Sequence, residues 1–237
     1  MNEDTSEFKR QAAEHAVGFI KSGMIVGLGH GSTATFAVRH IAQLLKEGQL
    51  RNILGLPCSR QVETEAQRLG IPLTTLEEHP ALDVTIDGAD EVDPHLNLIK
   101  GGGGALVREK IVAQASLREI IVVDESKLSP VLGTHRPVPL EVIPFGWETQ
   151  LSFLKSMGGK PALRQENDGT PFKTEQGNLI LDCTFGPIDR PARLAASLSE
   201  RAGVVEHGLF LGLARDVIVA GRSGIRHLRR GEYNDPD

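Results

Sequence analysis

The stretch MIVGLGHGSTATFAVRHIAQLL, residues 24–45, carries the clearest signal of the fold class. Its first six residues form a short apolar run, which predicts a buried strand, and its second half repeats apolar residues at helical spacing. Between them lies GLGHGST, a glycine-rich turn that ends in two hydroxyl residues where the helix begins. A buried strand that passes through glycines into an amphipathic helix is typical of an α/β domain with a parallel sheet.

The same alternation continues on both sides of this stretch. Apolar periodicity predicts helices over residues 5–22, around residues 62–69 and over ALVREKIVAQAS. Short apolar runs predict further strands at NILGLP, IPLTTL, LDVTID, EIIVVDE and DVIVAG. Because these strands are apolar on both faces, we expect a Rossmann-like parallel sheet covered by helices on both faces.

The composition of the sequence changes near Ser129, where SPVLGTHRPVPLEVIPFG is rich in proline and indicates a boundary or crossover. Beyond it, helices alternate with strands joined by turn-rich segments, which favours an antiparallel α+β arrangement. We therefore expect a second, smaller α+β (ferredoxin-like) domain over residues 130–205, involved in oligomer contacts. Residues 1–129 and 206–237 would form the Rossmann-like catalytic domain, since DVIVAG is typical of a central parallel strand.

Composition limits the classes of function. The chain has 237 residues, a net charge of -5 and a pI near 5.9, with no basic stripe, so we expect neither nucleic acid nor a membrane as its partner. The nearest basic run, RHLRR, is predicted to be a solvated tail. The polar start MNEDTSE does not have the pattern of a secretory signal. Cys58 and Cys183, the two cysteines, are predicted to be free thiols, which fits the cytoplasm.

The first candidate site is GLGHGST. Backbone N–H groups at a helix N-terminus, with glycines that allow close approach, form an anion site, and Ser32 and Thr33 add hydroxyl donors. The alternative is a capped turn that binds no ligand. A dinucleotide site is disfavoured because residue 32 is serine rather than glycine, and no acidic residue ends the next strand.

The second candidate is DGADEVDP, at the end of an apolar strand, the edge of an α/β sheet at which ligands bind. Gly88 allows a sharp turn, so Asp87 and Asp90 can face one small volume and act as acid and base. The alternative is a solvated acidic turn or a helix cap at Asp90. A calcium loop is disfavoured because Val92 occupies the position that requires glycine.

The third candidate is NLIKGGGGALVREK. Consecutive glycines can take up positive φ and expose their N–H groups in a concave nest, which stabilises an oxyanion. Lys100 precedes the nest and Glu109 follows it by about one helical turn, a set that favours enolate chemistry. The alternative is a flexible linker with a surface glutamate. At a further strand end, VVDESK, Lys127 could reach a phosphate or could be an ordinary surface lysine.

Together these strand ends supply an anion cradle, two aspartates, a lysine beside an oxyanion nest and a glutamate. An isomerase that converts a phosphorylated aldose into a ketose needs this set, because it grips a phosphate, opens a ring and stabilises an enediolate. It needs no metal or nicotinamide cofactor, and we expect no cofactor and no metal.

The chain also closely resembles the ribose-5-phosphate isomerase A family. The block DGADEVDPHLNLIKGGGGALVREKIVA is highly specific to that family, and GLGHGSTA, VVDESK, PVPLEVIPF and GNLILD follow in its order. The resemblance implies cofactor-free interconversion of ribose 5-phosphate and ribulose 5-phosphate in the pentose phosphate pathway. It also implies a cytoplasmic homodimer or homotetramer.

The resemblance further implies roles for individual residues. Glu109 would move the proton between C1 and C2, two aspartates would assist ring opening, and the lysine and glycine amides would stabilise the enediolate. The implied catalytic residues are Glu109, Asp87, Asp90 and Lys100. The implied substrate-binding residues are His30, Gly31, Ser32, Thr33, Asp87, Gly88, Ala89, Asp90, Lys100, Gly101, Gly102, Gly103 and Lys127.

One position departs from the family pattern, which has threonine where this chain has His30. A protonated imidazole could donate to the phosphate and make substrate binding depend on pH, or the ring could face solvent. Two other classes of function stay open from the residues alone. They are a non-catalytic sugar-phosphate-sensing domain, and an amino-sugar phosphate deaminase or coenzyme A transferase of similar architecture.

Overall fold

The computed structural model describes residues 3–231. Its helices are α1 (Glu3–Val17), α2 (Ala34–Lys46), α3 (Arg60–Arg68), α4 (Leu106–Ala115), α5 (Glu148–Ser156) and α6 (Pro191–Ser199). Its strands are β1 (Ile25–Leu28), β2 (Leu54–Pro57), β3 (Val84–Asp87), β4 (Glu91–Val92), β5 (Leu98–Ile99), β6 (Glu119–Asp124), β7 (Val138–Val142), β8 (Lys160–Leu163), β9 (Leu179–Thr184), β10 (Val204–His207), β11 (Leu209–Phe210), β12 (Ala214–Gly221) and β13 (Gly224–Arg229).

The described residues divide into two compact units. The first contains the chain up to Ala89, then Arg108–Lys127, and the chain from Gly212 onward. The second contains Asp90–Val107 and Leu128–Leu211. Residues 90–107 and 206–211 were expected in the first domain, whereas here they group with the second unit. The reason is a small antiparallel sheet in which β5 pairs with both β4 and β11. Each of these strands has only two residues, so the sequence gives little sign of them.

The first unit is built on a six-stranded sheet in the order β13-β12-β6-β3-β1-β2. All neighbours are parallel except β13, which runs antiparallel to β12. Val26 and Leu28 of β1 pack in the core that helices α1, α2 and α3 cover. Gly27, between them, faces Val112 of α4 on the other side. The predicted parallel sheet with helices on both faces is therefore confirmed.

The parallel strands bring several chain segments to one sheet edge. β1, β3 and β6 end at that edge, so the turn after Leu28, the residue Asp87 and the residue Asp124 all lie there. Ligands of open α/β sheets bind outside the carboxyl ends of the strands. The fold thus places three of the predicted site segments, GLGHGST, DGADEVDP and VVDESK, at the edge where a ligand is expected.

The second unit contains a four-stranded antiparallel sheet. The chain order is β7-α5-β8-β9-α6-β10 and the spatial order is β10-β7-β9-β8. A βαββαβ unit with this strand order is ferredoxin-like, so the predicted class of the smaller domain is confirmed. Its core contains the buried side chains of β7 and β9 together with Leu154 of α5 and Leu198 of α6.

The proline-rich stretch follows the change of unit between Lys127 and Leu128, and it contains the buried strand β7, whose residues Val138–Val142 pair with β9 and β10. Two local predictions differ from the structure. IPLTTL forms no strand, and makes a single bridge between Leu73 and Gly55. The prediction that RHLRR is a tail is wrong, since residues 226–229 belong to β13; the exposed arginines there suit an edge strand that must not pair further. The end of that tail, residues 232–237, lies outside the described residues.

Candidate active site

The turn after β1 is bound directly to Asp87 at the end of β3. The backbone N–H of His30 donates to Asp87 Oδ1 at 3.0 Å, and the N–H of Gly88 donates to the same oxygen at 2.7 Å. Gly29 is required at this point, because a Cβ there would collide with the Asp87 side chain and the Ile86 carbonyl. The buried aspartate therefore fixes both its own carboxylate and the path of the GLGHGST turn.

The hydroxyl pair of this turn lies at the start of α2, a helix of 13 residues. Thr33 is the N-cap residue, and its side chain makes no capping hydrogen bond. Ser32 is exposed, and its Oγ accepts a hydrogen bond from Lys9 Nζ at 3.0 Å. A helix N-terminus attracts anions, and the charge of the buried Lys9 at the same hydroxyl increases the positive potential there.

Lys9 is a residue that sequence reasoning missed. It lies on α1 and is only 8 % exposed, next to Phe8 and near Ala12 on the buried face of that helix. A lysine on the apolar face of an amphipathic helix is an unusual placement, since such side chains are almost never fully buried without a partner. That placement was the signal in the sequence that could have marked Lys9. It does not reveal Ser32, which lies 23 residues away.

His30 does not turn its ring into solvent. Its Nδ1 lies 2.9 Å from Ser59 Oγ, and the residue is half-buried. Ser59 is the N-cap of α3 and accepts the N–H of Val62 at 3.2 Å. The imidazole thus connects the turn after β1 to the start of α3, so the solvent-facing alternative does not describe it.

Glu109 and Lys127 complete the candidate residues of the first unit. Glu109 lies in the first turn of α4 and is 4 % exposed. Lys127 ends a short 3₁₀ turn, Glu125–Lys127, directly after β6, and is half-buried. That turn is capped by Asp124, whose Oδ1 accepts the N–H of Ser126 at 3.0 Å. The strand therefore ends in a fixed turn that carries the lysine.

The second unit contains the lysine and the glycine nest. Gly101 and Gly104 have φ values of +103° and +83°, a conformation that residues other than glycine rarely adopt. The N–H of Gly102 donates to Asp90 Oδ2 at 2.7 Å. Lys100 is 2 % exposed, and its Nζ lies 5.5 Å from the centroid of the Phe210 ring. The glycine loop therefore already accommodates a carboxylate oxygen at one of its amides.

The structure thus connects several predicted residues directly within each unit. Within the first unit it joins the turn after β1 to Asp87 and Gly88, the latter followed by the half-buried Ala89. Within the second unit it joins Asp90 to Gly102, next to the exposed Gly103. Among residues 3–231, no group of three His, Cys, Asp or Glu side chains is arranged to hold a metal ion. In the same part of the chain, every helix is too short or too polar to cross a membrane.

Solved structures share this architecture over nearly its full length. A D-ribose-5-phosphate isomerase in complex with phospho-erythronic acid is 41% identical, with a TM-score of 0.94, over 97% of this chain and 100% of that chain. The ribose 5-phosphate isomerase from Plasmodium falciparum is 40% identical, with a TM-score of 0.92, over 96% of this chain and 100% of that chain. With relatives this similar in sequence and structure, the chain is an aldose–ketose isomerase.

Sequence comparison identifies the particular family. A relative from Chloroflexus aurantiacus, named ribose-5-phosphate isomerase A, is 57% identical over 229 residues, which are 96% of each chain. A relative of the same name from Desulfatibacillum aliphaticivorans is 58% identical over 221 residues, 93% of this chain and 96% of the relative. Residues 54–224 match the model of ribose 5-phosphate isomerase A (phosphoriboisomerase A). The chain belongs to the ribose 5-phosphate isomerase A family.

Proposed function

We propose that this isomerase interconverts D-ribose 5-phosphate and D-ribulose 5-phosphate through an enediolate, with Glu109 as the base. The observation that carries the assignment of the base is the burial of Glu109 in the first turn of the helix that follows the glycine nest. A carboxylate shielded from bulk water can take a proton from C2 and return it to C1 without losing it to solvent. Both transfers are on neighbouring carbons, so one carboxylate suffices.

The phosphate is assigned to the start of α2. Ser32 and Thr33 supply hydroxyl groups, and the amides of the turn supply N–H donors at the positive end of the helix. Lys9, held at Ser32 Oγ, adds a full charge, and Lys127 is assigned a second cationic contact from the same sheet edge. The geometry of Lys9 and the helix start supports an anion site rather than a capped turn without a ligand.

The developing negative oxygen is assigned to the glycine nest and Lys100. An oxyanion gains most from donors that are already oriented, because no reorganisation is then needed during the reaction. The positive φ of Gly101 and the existing hydrogen bond from Gly102 to Asp90 support a nest that is formed in advance. Asp87 and Asp90 are assigned to the sugar hydroxyls and to ring opening.

The experiment is an assay of ribulose 5-phosphate formation, run with EDTA, on Glu109→Gln. Loss of the base should lower kcat by at least ~10²-fold and leave KM within a few-fold of the original value. Glu148→Gln is the matched control, since Glu148 also lies in the first turn of a helix but is exposed. Turnover of Glu109→Gln close to that of the unmodified enzyme would exclude Glu109 as the base.

Assembly and compartment form the remaining part of the proposal. We assign a homodimer or homotetramer, with the smaller unit in its contacts, which is supported by the exposed apolar side chains Ile143, Phe145 and Val205 in that unit. A cytoplasmic location is supported by Cys58 and Cys183, two buried cysteines that are not joined in a disulfide. Light scattering during gel filtration tests the assembly, because a monomer in solution would exclude it, and fractionation of the source cells tests the compartment.

A further inference from the structure

The ferredoxin-like unit contains an arginine that reaches into the glycine nest. Arg164 follows β8, and its Nη1 donates to the carbonyl of Gly101 at 3.0 Å and to that of Gly102 at 3.1 Å. Its other two nitrogens, Nε and Nη2, donate to the carboxylate of Asp182 at 2.8 and 2.5 Å. The guanidinium therefore joins a carboxylate of the sheet to two consecutive peptides of the nest.

This contact is built into the sheet. The N–H of Arg164 donates to the carbonyl of Ile180 at 2.9 Å, which continues the β8–β9 pairing by one residue. Asp182 is two residues further along β9, so it is the diagonal neighbour of Arg164 on the same face. The two side chains are only 15% and 25% exposed. A bidentate arginine–carboxylate pair with this burial has a fixed geometry, unlike most surface ion pairs.

A second side chain of the same turn region holds the other end of the nest. A Cβ on Gly104 would collide with the Phe172 ring, so that ring lies directly against the glycine backbone. The N–H of Phe172 donates to the carbonyl of Arg164 at 2.9 Å, and the guanidinium carbon lies 5.7 Å from the ring centroid. Arg164 and Phe172 therefore support the nest from one hairpin.

The chemistry follows from which atoms share a peptide. The carbonyl of Gly101 belongs to the peptide whose N–H is that of Gly102, and the carbonyl of Gly102 belongs to the peptide whose N–H is that of Gly103. A cation at the oxygen of a peptide draws electron density from its nitrogen, so the N–H becomes a stronger donor. The 2.7 Å bond from Gly102 to Asp90 is at the short end of the range for N–H donors, as expected for such a peptide.

We propose that Arg164 is a positioning residue for the isomerisation. It holds the peptides of Gly101 and Gly102 by their oxygens and strengthens the N–H donors of Gly102 and Gly103, which fix Asp90 and face the enediolate. Asp182 keeps the guanidinium in place. This role rests on the proposed function of the nest as the oxyanion site, and it gives the smaller unit a part in the chemistry.

The test uses Arg164→Met, which keeps much of the apolar stem and removes the donors. We expect kcat to fall about 10- to 10²-fold, less than the loss of a direct oxyanion donor, with KM changed by less than about 3-fold. Arg164→Lys should recover part of kcat, since one ammonium can reach one carbonyl but cannot also form the fork to Asp182. Arg201→Met is the matched control, because Arg201 lies in the same unit, 4.8 Å from the Phe153 ring, and bonds to Gln150 instead.

Inhibitor binding distinguishes the proposed positioning role of Arg164 from a purely structural one. Phospho-erythronic acid carries a planar carboxylate whose two oxygens resemble an enediolate, and inorganic phosphate probes the phosphate site alone. In Arg164→Met, the Ki of phospho-erythronic acid should rise about as much as kcat/KM falls, while the Ki of phosphate stays constant. A folded Arg164→Met with unchanged kcat, or with both Ki values raised equally, would overturn the role.

Two further measurements keep the test decisive. If Arg164→Met does not fold, Asp182→Asn takes its place, because it loosens the guanidinium while leaving both carbonyl contacts possible. A smaller loss of kcat with the same selective change in the Ki of phospho-erythronic acid supports the role, and unchanged kinetics overturn it. Glu109→Gln reports separately on the base, so a failure of the proposed mechanism is distinguishable from a failure of the role of Arg164.

Discussion

Glu91 should contribute strongly to the stability of the second unit. This glutamate of β4 is 1 % exposed, and its carboxylate accepts four backbone N–H groups from one loop. Oε1 accepts from Thr134 at 3.1 Å and His135 at 3.2 Å, and Oε2 accepts from Gly133 at 3.1 Å and Arg136 at 3.2 Å. The carboxylate thus holds the segment that leads into the central strand β7.

The perturbation is Glu91→Gln, which keeps the shape of the side chain. One oxygen becomes an NH₂ group, so two of the four loop amides face a donor and lose their acceptor. A hydrogen bond to a charged group contributes about 1.5–3 kcal/mol, so two losses amount to about 3–6 kcal/mol. The four distances lie at the long end of the normal range, so we expect the lower limit, about 3 kcal/mol.

The assay is urea unfolding followed by fluorescence. Trp147 is the sole tryptophan and packs against the core of the second unit, so its emission reports on that unit. With a slope of about 1–3 kcal/mol per molar urea, a loss of about 3 kcal/mol lowers the midpoint by about 1–3 M. Glu166→Gln removes the same charge from an exposed turn and should leave the midpoint unchanged. A shift for Glu91→Gln no larger than that of the control would show that the four hydrogen bonds to Glu91 do not stabilise the second unit.

Two other side chains of the second unit give predictions with a defined sign. Burial raises the pKa of Glu141 above its ordinary value of 4.5, although Asn178 and Thr174 donate to the carboxylate. The unfolded chain therefore loses this proton first, and the free energy of unfolding falls as the pH rises from 4.5 toward the pKa in the folded state. Glu141→Gln removes this loss of stability. The melting temperature of the variant minus that of the unmodified protein should therefore be larger at pH 7 than at pH 4. An equal difference at both pH values would contradict the role of burial. Burial also raises the pKa of the Cys183 thiol to about 12. Cys183 should therefore react with a thiol reagent at pH 8 at least ~10²-fold more slowly in the folded protein than in urea, as measured by mass spectrometry of the labelled peptide, and equal rates would contradict this expectation.

The local patterns predicted the parallel sheet because its strands are short apolar runs. Val26 and Leu28 alternate with a glycine and precede a helix with a clear apolar face, so residues close in sequence already determine the β1–α2 unit. The strand β12 was recognisable for the same reason, since Val217–Ala220 are all apolar, and they are indeed buried. In contrast, the strand β7 lies between prolines, and its role as a central strand depends on β9, about 40 residues further along the chain.

The residues of the candidate site also fall into those that a local motif predicts and those that depend on distant partners. Asp87, Lys100 and Glu109 could be predicted as site residues because each lies inside a short motif whose chemistry can be interpreted locally. Lys9 and Arg164 were missed because their partners are 23 and 62 or 63 residues away. Nothing in EFKRQ or PALRQE shows that the lysine or arginine there will meet a serine or a glycine carbonyl. Such residues become visible only when the topology brings distant segments together.

The place of β12 in the sheet has a consequence for synthesis on the ribosome. This strand pairs with β6 on one side and β13 on the other, yet it is made about 90 residues after β6. Until it emerges, the nascent chain carries β6 with one open edge, and parallel pairing over such a separation is slow. Translation that stops before Ala214 would thus leave an apolar strand able to pair with other chains, so incomplete copies should be prone to aggregate.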